Sequence, residues 1–353
     1  MKSNDKEKGG AKMKKSKILV LIILVLLLSL ELTGCYDVIY LNEQSDTAAT
    51  TEPISPYNEN SKTKTVNAVC YYAYNETEDS SGQEYLVSEV HSIDYSSGNY
   101  EKALLNELVI GPDQKSKDIT SVIPKGTTFK IISKEEDRFI AVILSSKFLT
   151  PPSTYPTDWA SRSDYVERFN RIKRLAVYSI VDTLTESGKY DRVQILIDYD
   201  DTGLGRIPAK GEMGFTDGGN QYELLEAMYR NTNIIFTPEN ATKTIMYYLK
   251  NKSYANLYEM TALVDLDGNK KPTQEEFIKT LENLKINVAV YDATNGSTAP
   301  DGSTSTVLLK GEITIGVGTA KKTKYFENTT LRLIEEDGIW KIQYNDLINY
   351  LTN

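Results

Sequence analysis

The stretch "RLAVYSIVDTLTESGKYDRVQILID", Arg174 to Asp198, places a helix pattern directly before a strand pattern. The helix begins upstream, because apolar residues recur at helical spacing from Asp164 to Ser187. The members of this stripe are Val166, Phe169, Ile172, Leu175, Ala176, Ile180 and Leu184. Gly188 ends the helix, and the alternation from Val193 to Tyr199 predicts a strand. A long amphipathic helix that leads into a strand indicates a layered fold that contains both element types.

The residues before this helix predict more strands and one shorter helix. The predicted strands are Val66–Tyr74, Tyr85–Ile93, Thr127–Ser133 and Arg138–Leu144. The last two form a hairpin around the charged turn Lys134–Asp137. Between the two strand pairs, a helix is capped by Asn99 and stopped by Gly111-Pro112. Residues 66–219 therefore predict an α+β domain with helices packed on one face of a small sheet.

This order of elements resembles the GerMN domain of bacterial sporulation and spore germination lipoproteins. The resemblance covers about residues 66–207 and is carried by "EKALLNELVIGP", "SVIPKGTTF", "AVILSSKFL" and the stretch Arg174 to Asp198. It implies a ring-building type of fold and a role in assembling envelope complexes by protein contact. It brings no catalytic residues. Germination proteins of this type often carry two such domains, and no second copy is found in this sequence.

Residues 237–353 predict helices followed by long antiparallel strands. Thr237 caps the first helix, Pro238 suits its first position, and Thr273 to Glu276 form a capping box for a later one. The strands are Ile286–Ala293, Thr304–Gly316, Lys322–Ile334 and Trp340–Tyr344. This order and the ending "TLRLIEEDGIWKIQY" resemble the nuclear transport factor 2-like superfamily. The resemblance implies a cone-shaped α+β domain whose curved antiparallel sheet wraps around helices.

The N-terminal residues predict an export signal, residues 1–34. Seven lysines among the first seventeen residues precede thirteen mostly aliphatic residues, Ile18 to Leu30. A run of about 10 to 14 apolar residues is typical of a signal peptide, whereas a spanning helix needs about 20. Leu32-Thr33-Gly34-Cys35 resembles the lipobox of bacterial lipoproteins, which implies cleavage before Cys35 and lipidation of its sulfur. The alternative, an uncleaved helix from Ile18 to about Leu32, is disfavoured by Glu31 and the short length.

Charge and composition restrict what the remaining chain does. The whole chain has 40 Lys plus Arg and 49 Asp plus Glu, and the leader holds seven and three of them, so the rest has a net charge of −13. This balance argues against binding nucleic acid. Residues 35–65 are rich in Thr, Ser, Asn and Pro and predict a flexible tether.

Few residues offer reactive side chains. Cys70 lies in an apolar stretch and is expected to be a small buried hydrophobe. His91 is the only histidine, and the alternating stretch "LVSEVHSI" is expected to hold it on the polar face of a strand. In residues 237–353 the acids that could serve a pocket are Glu312 and Asp292, which are expected to point to solvent.

Two loops are rich in carboxylates. "DLDGNKKPTQEE", Asp265 to Glu276, resembles a calcium-binding EF-hand loop, but Lys270 takes the place of the glycine at position six. A turn at Asp267-Gly268 before the capping box explains it more simply. "DYDDTG", Asp198 to Gly203, is a second oxygen-rich loop, and a cation site in this loop remains as an alternative.

These patterns predict an extracytoplasmic lipoprotein of the cell membrane, anchored through Cys35 by fatty chains such as palmitate. Its expected partners are envelope or sporulation-complex proteins, with self-association as a further possibility, and neither nucleic acid, metal nor cofactor. Catalysis is not expected. Two alternatives remain, both in residues 237–353: a pocket enzyme, and a lipoprotein that binds a small ligand or peptidoglycan.

Overall fold

The stretch Arg174 to Asp198 folds as predicted into the end of a long helix and a strand. The computed structural model describes residues 63–74, 84–96, 98, 100–113 and 119–352. The predicted leader, most of the predicted tether and the predicted cap Asn99 lie outside these residues.

The described residues form three sheets and several helices in one α+β arrangement. In chain order the elements are β1 (Lys64–Tyr74), β2 (Tyr85–Tyr95), α1 (Tyr100–Ile110), β3 (Ile119–Thr120), β4 (Phe129–Lys134), β5 (Phe139–Ser145), α2 (Ser163–Thr185), β6 (Arg192–Asp198), β7 (Met228–Tyr229), α3 (Pro238–Asn251), α4 (Tyr254–Glu259), α5 (Gln274–Leu284), β8 (Asn287–Thr298), β9 (Thr304–Ile315), β10 (Lys322–Glu336), β11 (Ile339–Ile342) and α6 (Tyr344–Thr352). The first sheet has the order β2-β1-β3, the second β4-β5-β6-β7 and the third β11-β10-β9-β8.

Helix α2 is the crossover between two parallel strands. Strands β5 and β6 pair in parallel from Phe139 opposite Arg192 to Ser145 opposite Asp198. Parallel neighbours cannot be joined by a tight turn, so the connecting chain must cross over the sheet, usually as a helix. The predicted hairpin of β4 and β5 extends the same sheet on its other side.

Helix α2 also contacts the first sheet through its hydroxyl side chains. Ser179 donates a hydrogen bond of 2.6 Å to the Tyr71 carbonyl oxygen, and Thr183 accepts one of 3.1 Å from the Tyr71 amide. Strand β3 pairs with β1 only at Ala73 and Tyr74. The two hydroxyls therefore satisfy backbone groups of β1 where its neighbouring strand has ended.

Helix α2 packs against two sheets, so the expected packing of helices on one face of a small sheet is not confirmed for this helix. This helix packs against strands of both the first and the second sheet. Its second half is buried almost all round, including Val177, Ser179, Val181 and Thr183, which lie outside the predicted stripe. The reason is that a helix with a sheet on each side needs more than one stripe of buried residues.

The third sheet is the curved antiparallel sheet that the sequence predicts. Register shifts interrupt the pairing of β10 with β9 between Phe326 and Thr329, and of β8 with β9 at two places. Such bulges bend a strand and increase its twist. Helix α3 packs on β8, and the capping box of α5 is confirmed, because Thr273 and Glu276 exchange side-chain to backbone hydrogen bonds.

The C-terminal helix α6 was not expected from the sequence. The predicted last strand, Trp340–Tyr344, ends at Ile342 in the structure, and Tyr344 begins the helix. Leu347 and Leu351 are spaced by one helical turn and are buried against the sheet. Helix α6 therefore covers part of the third sheet.

One large hydrophobic cluster extends from residues of the first sheet to residues of the third, beside a small second cluster of Ala141, Ile143 and Leu196. The ring of Phe236 lies 4.8 Å from the ring of Tyr74 and 5.1 Å from that of Tyr85, centre to centre. The Phe236 amide donates a hydrogen bond of 2.7 Å to the Leu86 carbonyl oxygen, and the Tyr74 hydroxyl lies 3.4 Å from the Met260 sulfur. The predicted domains 66–219 and 237–353 thus share one core among the described residues, and their boundary stays a prediction.

Asp182 on α2 is a carboxylate enclosed by this packing. It is fully buried, and one of its oxygens accepts a hydrogen bond of 2.9 Å from the Asn231 amide. The other oxygen has no hydrogen-bond partner among the described residues. Burial raises the pKa of Asp182 to about 7, against the opposing effects of the Asn231 amide and Arg230.

Truncation of Phe236 is expected to destabilise both halves of the fold together. Phe236→Ala should lower the free energy of unfolding by about 3–5 kcal/mol, because it removes a buried ring and leaves a cavity. Trp159 and Trp340 are the two tryptophans, one in residues 66–219 and one in residues 237–353, so Trp159→Phe and Trp340→Phe each leave one reporter. Urea unfolding followed by fluorescence should give the same midpoint for both reporters. Two different unfolding midpoints, or a midpoint that shifts for only one reporter, would contradict a shared core. Tyr222→Ala, at an exposed tyrosine, is the control.

Substitution of Asp182 is expected to stabilise the fold in a pH-dependent way. The unfolded carboxyl has a pKa of about 4, so between about pH 4 and 7 the folded protein holds the extra proton and loses stability as the pH rises. Asp182→Asn should therefore raise the free energy of unfolding by about 1–3 kcal/mol at pH 8 and leave it unchanged near pH 4. Chemical denaturation at the two pH values measures this. The exposed Asp164→Asn on the same helix should show no such difference, and a gain of equal size at both pH values would refute the assignment to Asp182.

Candidate functional site

The predicted lipidation site Cys35 lies outside the described residues, so the anchor stays a prediction. Among the residues that the structure describes, none of the helices has the length and apolar character needed to cross a bilayer.

Cys70 is buried in β1 as predicted. Burial, followed by the charge of Glu107, raises the pKa of its thiol to about 12. The thiolate is the nucleophilic form of cysteine, so this residue is chemically inert.

The two candidate pocket acids do not form a buried catalytic pair. The Asp292 side chain is 62% exposed and lies 3.6 Å from the Lys243 ammonium. Glu312 is half-buried on β9. Neither lines the groove of about 750 Å³ that runs beside β10 and α6. The pocket-enzyme alternative requires a buried acid beside a tyrosine in a closed cavity, and these two residues do not supply one.

Both oxygen-rich loops use their leading carboxylate to close a turn. Asp265 accepts backbone hydrogen bonds of 3.0 Å from Asp267 and 2.7 Å from Asn269, which confirms the turn interpretation. Asp198 accepts hydrogen bonds of 3.0 Å from the Thr202 amide and 2.7 Å from the Gly203 amide. Neighbouring amides therefore occupy the oxygens that a cation would need.

His91 does not lie on an exposed polar face, contrary to the expectation. Residues Val87, Glu89, His91 and Ile93 of β2 point inward, whereas Ser88, Val90 and Ser92 are exposed. Helix α1 covers this inner face and offers the Glu107 carboxylate at 2.9 Å from the imidazole. The polar partner allows the histidine to be buried.

A groove of about 480 Å³ lies along the first half of α2, and we call it the α2 groove. It is lined by the loop after β3, by the turn and loop after β5, and by α2. Its lining residues include Val122, Ile123, Pro124, Lys125, Lys147, Phe148, Pro151, Pro152, Phe169, Ile172, Lys173 and Ala176. Most of the apolar members are buried, so they form the floor of the groove.

Aromatic side chains hold the loop that forms one wall of the α2 groove. The Tyr155 ring lies 4.9 Å from the Tyr165 ring, and the Trp159 ring lies 5.2 Å from the Phe169 ring, both in edge-on contact. These pairs fix the proline-rich loop against α2. This wall of the groove is therefore packed against the helix.

Three lysines give the α2 groove a positive rim in an acidic protein. Lys125 and Lys147 are exposed, and the Lys173 ammonium lies 4.8 Å from the centre of the Phe169 ring. Burial lowers the pKa of Lys173 to about 8, and the charge of Glu212 opposes this effect. A carboxylate placed beside a poorly solvated ammonium stabilises its charged form. The groove can thus accept an acidic group above an apolar floor.

Sequence reasoning did not single out these lysines. Lys125 and Lys147 lie within "SVIPKGTTF" and "AVILSSKFL", two of the segments that carry the GerMN resemblance. The sequence therefore contained two of the three lysines within recognised segments. It did not show that three separated segments form one groove, because this depends on the tertiary fold.

Residues 69–199 match a family model described as "Germane: Sporulation and spore germination". The matched residues contain α1, the β4–β5 hairpin, α2, β6 and the three lysines of the α2 groove. This match supports a GerMN-type sporulation and germination domain in this segment, in agreement with the resemblance. The match spans well under half of the chain, and the resemblance of residues 237–353 to the nuclear transport factor 2-like superfamily stays a prediction.

Several solved structures are similar to part of the chain. The tandem GerMN domains of the sporulation protein GerM from Bacillus subtilis are 18% identical, with a TM-score of 0.27, over 40% of this chain and 41% of that one. The first GerMN domain of the same protein is 18% identical, with a TM-score of 0.24, over 40% of this chain and 91% of that one. A protein from Clostridium perfringens designated a lipoprotein is 16% identical, with a TM-score of 0.21, over 46% and 87%. No curated protein sequence matches the chain significantly.

Proposed function

We propose that this protein is a membrane-anchored extracytoplasmic lipoprotein that assembles protein complexes of the cell envelope in sporulation or spore germination, without catalysing a reaction. The match of residues 69–199 to the sporulation and germination family carries the proposal. The basic leader, its short apolar run and the Leu32-Thr33-Gly34-Cys35 motif support the anchor.

The contact surface in this proposal is the α2 groove, and its occupant is an extended, acidic segment of a partner protein. An extended segment suits a groove with an apolar floor, because alternate side chains can enter the groove while the others stay in water. Its carboxylates pair with Lys125, Lys147 and Lys173. Charge complementarity of this kind favours the right partner and speeds association.

Two functions remain as alternatives with less support. A pocket enzyme would need another acid than Asp292 or Glu312. Binding of peptidoglycan or a small ligand through residues 237–353 stays a prediction, with the groove beside β10 and α6 as the surface to examine.

Loss of Cys35 is expected to release the protein from the membrane. Radiolabelled palmitate fed to producing cells should enter the wild-type chain, and fractionation should recover it with membranes. Two or three acyl chains anchor a protein firmly, at about 0.8 kcal/mol per buried methylene, so Cys35→Ala should abolish both label and membrane recovery. Cys70→Ala is the matched control, because it removes the other cysteine and should keep the label. Label that survives Cys35→Ala would disprove lipidation at this residue.

Reversal of the rim charges is expected to break the protein contact. A zero-length carbodiimide crosslinker joins lysine amines to carboxylates, so treatment of membranes from sporulating cells should link Lys125 or Lys147 to an acidic segment of another protein. The double variant Lys125→Glu/Lys147→Glu should reduce this product at least tenfold, and added salt should weaken it in the wild type. Peptide mapping by mass spectrometry identifies the linked segment.

The control for this experiment is Lys102→Glu/Lys134→Glu, which makes the same charge change at two exposed lysines outside the groove. Point variants are preferred to deletion of residues 66–207, because the shared core would not survive the deletion. If the crosslinks map to a second copy of this chain, the contact at the α2 groove is self-association and not binding of a different protein. Equal crosslinking in both double variants would rule out the α2 groove as the contact.

A further inference from the structure

A histidine and three carboxylates meet between β2 and the end of α1. Glu89 and His91 lie on the inner face of β2, where they are 9% and 2% exposed. Glu107 belongs to α1, and Asp113, whose side chain is 83% exposed, follows that helix. One ligand atom from each of Glu89, His91 and Asp113 lies within 4.8 Å of the others. The cluster is buried on one side and open to solvent at Asp113.

The charges of this cluster are not balanced by the described residues. The imidazole nitrogens of His91 lie 3.4 Å from the carboxylate of Glu89, 2.9 Å from that of Glu107 and 3.8 Å from that of Asp113. No arginine or lysine of the described part of the chain pairs with any of them. Three carboxyl groups thus surround one imidazole, and Glu89 is the buried one among them. A cation bound between them would offset the cost of burying a carboxylate there.

Two buried atoms of the cluster face each other without a hydrogen bond. They are Oε2 of Glu89 and Nε2 of His91, which are 3.4 Å apart and have no hydrogen-bond partner among the described residues. In a tetrahedral zinc site with bonds of about 2.0–2.2 Å, neighbouring ligand atoms are about 3.3–3.6 Å apart. The separation is therefore that of two ligands to one ion.

The other imidazole nitrogen has the partner that a metal-bound histidine usually has. Nδ1 of His91 lies 2.9 Å from the Glu107 carboxylate. A carboxylate that accepts the second N–H holds the ring in the tautomer whose Nε2 is free to bind a metal, and raises its basicity. The Tyr72 hydroxyl donates to the backbone oxygen of Glu107 at 3.3 Å, which helps to hold this carboxylate-bearing residue in place.

We propose that Glu89, His91 and Asp113 bind one divalent transition-metal ion, with Glu107 as the residue that positions His91. Zn²⁺ suits the donor set best, because imidazole nitrogen disfavours Mg²⁺ and Ca²⁺, which prefer oxygen ligands, and because the separation of the Glu89 and His91 ligand atoms matches a tetrahedral site. The exposed side of the site leaves room for water as the fourth ligand. The ion joins β2 to the chain after α1, within the residues that match the sporulation and germination family.

The test uses the full chain, purified without a polyhistidine tag, treated with a chelator and dialysed. Isothermal titration calorimetry with Zn²⁺ should show one site per chain, and the melting temperature should rise with Zn²⁺. Asp113→Asn and Glu89→Gln should each weaken binding at least tenfold, and Glu107→Gln by about 10- to 100-fold. Asp292→Asn, an exposed aspartate on another sheet, is the matched control and should bind as the wild type does.

The outcomes separate the site from general attraction to acidic groups. Mg²⁺ and Ca²⁺ at the same concentrations should not compete with Zn²⁺, and equal competition would overturn the proposal. Wild-type affinity in Asp113→Asn would also overturn it, and this variant keeps the test valid if Glu89→Gln fails to fold, because Asp113 is exposed. Absence of a saturable Zn²⁺ site in the wild type would refute it directly.

Discussion

The packing of α2 against two sheets is the constraint on which the rest of the fold depends. The helix joins two parallel strands of one sheet, and its hydroxyls replace a missing strand partner for Tyr71 in the other. Because both sides of its second half are covered, its polar side chains there must find partners inside the protein. Ser179 and Thr183 do so through backbone groups that lie far away in the chain, and Asp182 does so with one of its two oxygens. The helix thereby sets the relative positions of the two sheets and, with its first half, forms the floor of the α2 groove.

The shared core determines which surfaces of the family-matched segment are covered. Residues 69–199 match a family of their own, yet Tyr74 and Tyr85 within them pack on Phe236, which lies outside the match. The helices and the curved sheet of residues 237–353 therefore cover part of the surface of the matched segment. The α2 groove and the cluster of Glu89, His91 and Asp113 are formed by residues of the matched segment alone.

Local patterns in the sequence predicted those elements that depend on near neighbours. Four predicted features are all formed: the apolar stripe of α2, the alternation of β6, the β4–β5 hairpin and the capping box at Thr273. Each of them depends on residues that are close together in the sequence. His91 was misplaced because both faces of β2 carry apolar and polar residues, and only α1 decides which face is covered. The lysines of the α2 groove and the carboxylates around His91 come from separated segments. Their meeting is a property of the tertiary fold, which a local pattern cannot contain.

Strand β1 gives the fold a particular response to tension. It is the first element after the predicted tether, and it pairs with β2 along its whole length, from Lys64 opposite Tyr95 to Tyr74 opposite Tyr85. Because the two strands are antiparallel, the beginning of β1 lies beside the end of β2. A pull on Lys64 that is resisted at Tyr95 would open the ladder one pair at a time, whereas a pull resisted at Tyr85 would load all of its pairs together. The mechanical strength of this pair of strands therefore depends on where the opposing force acts.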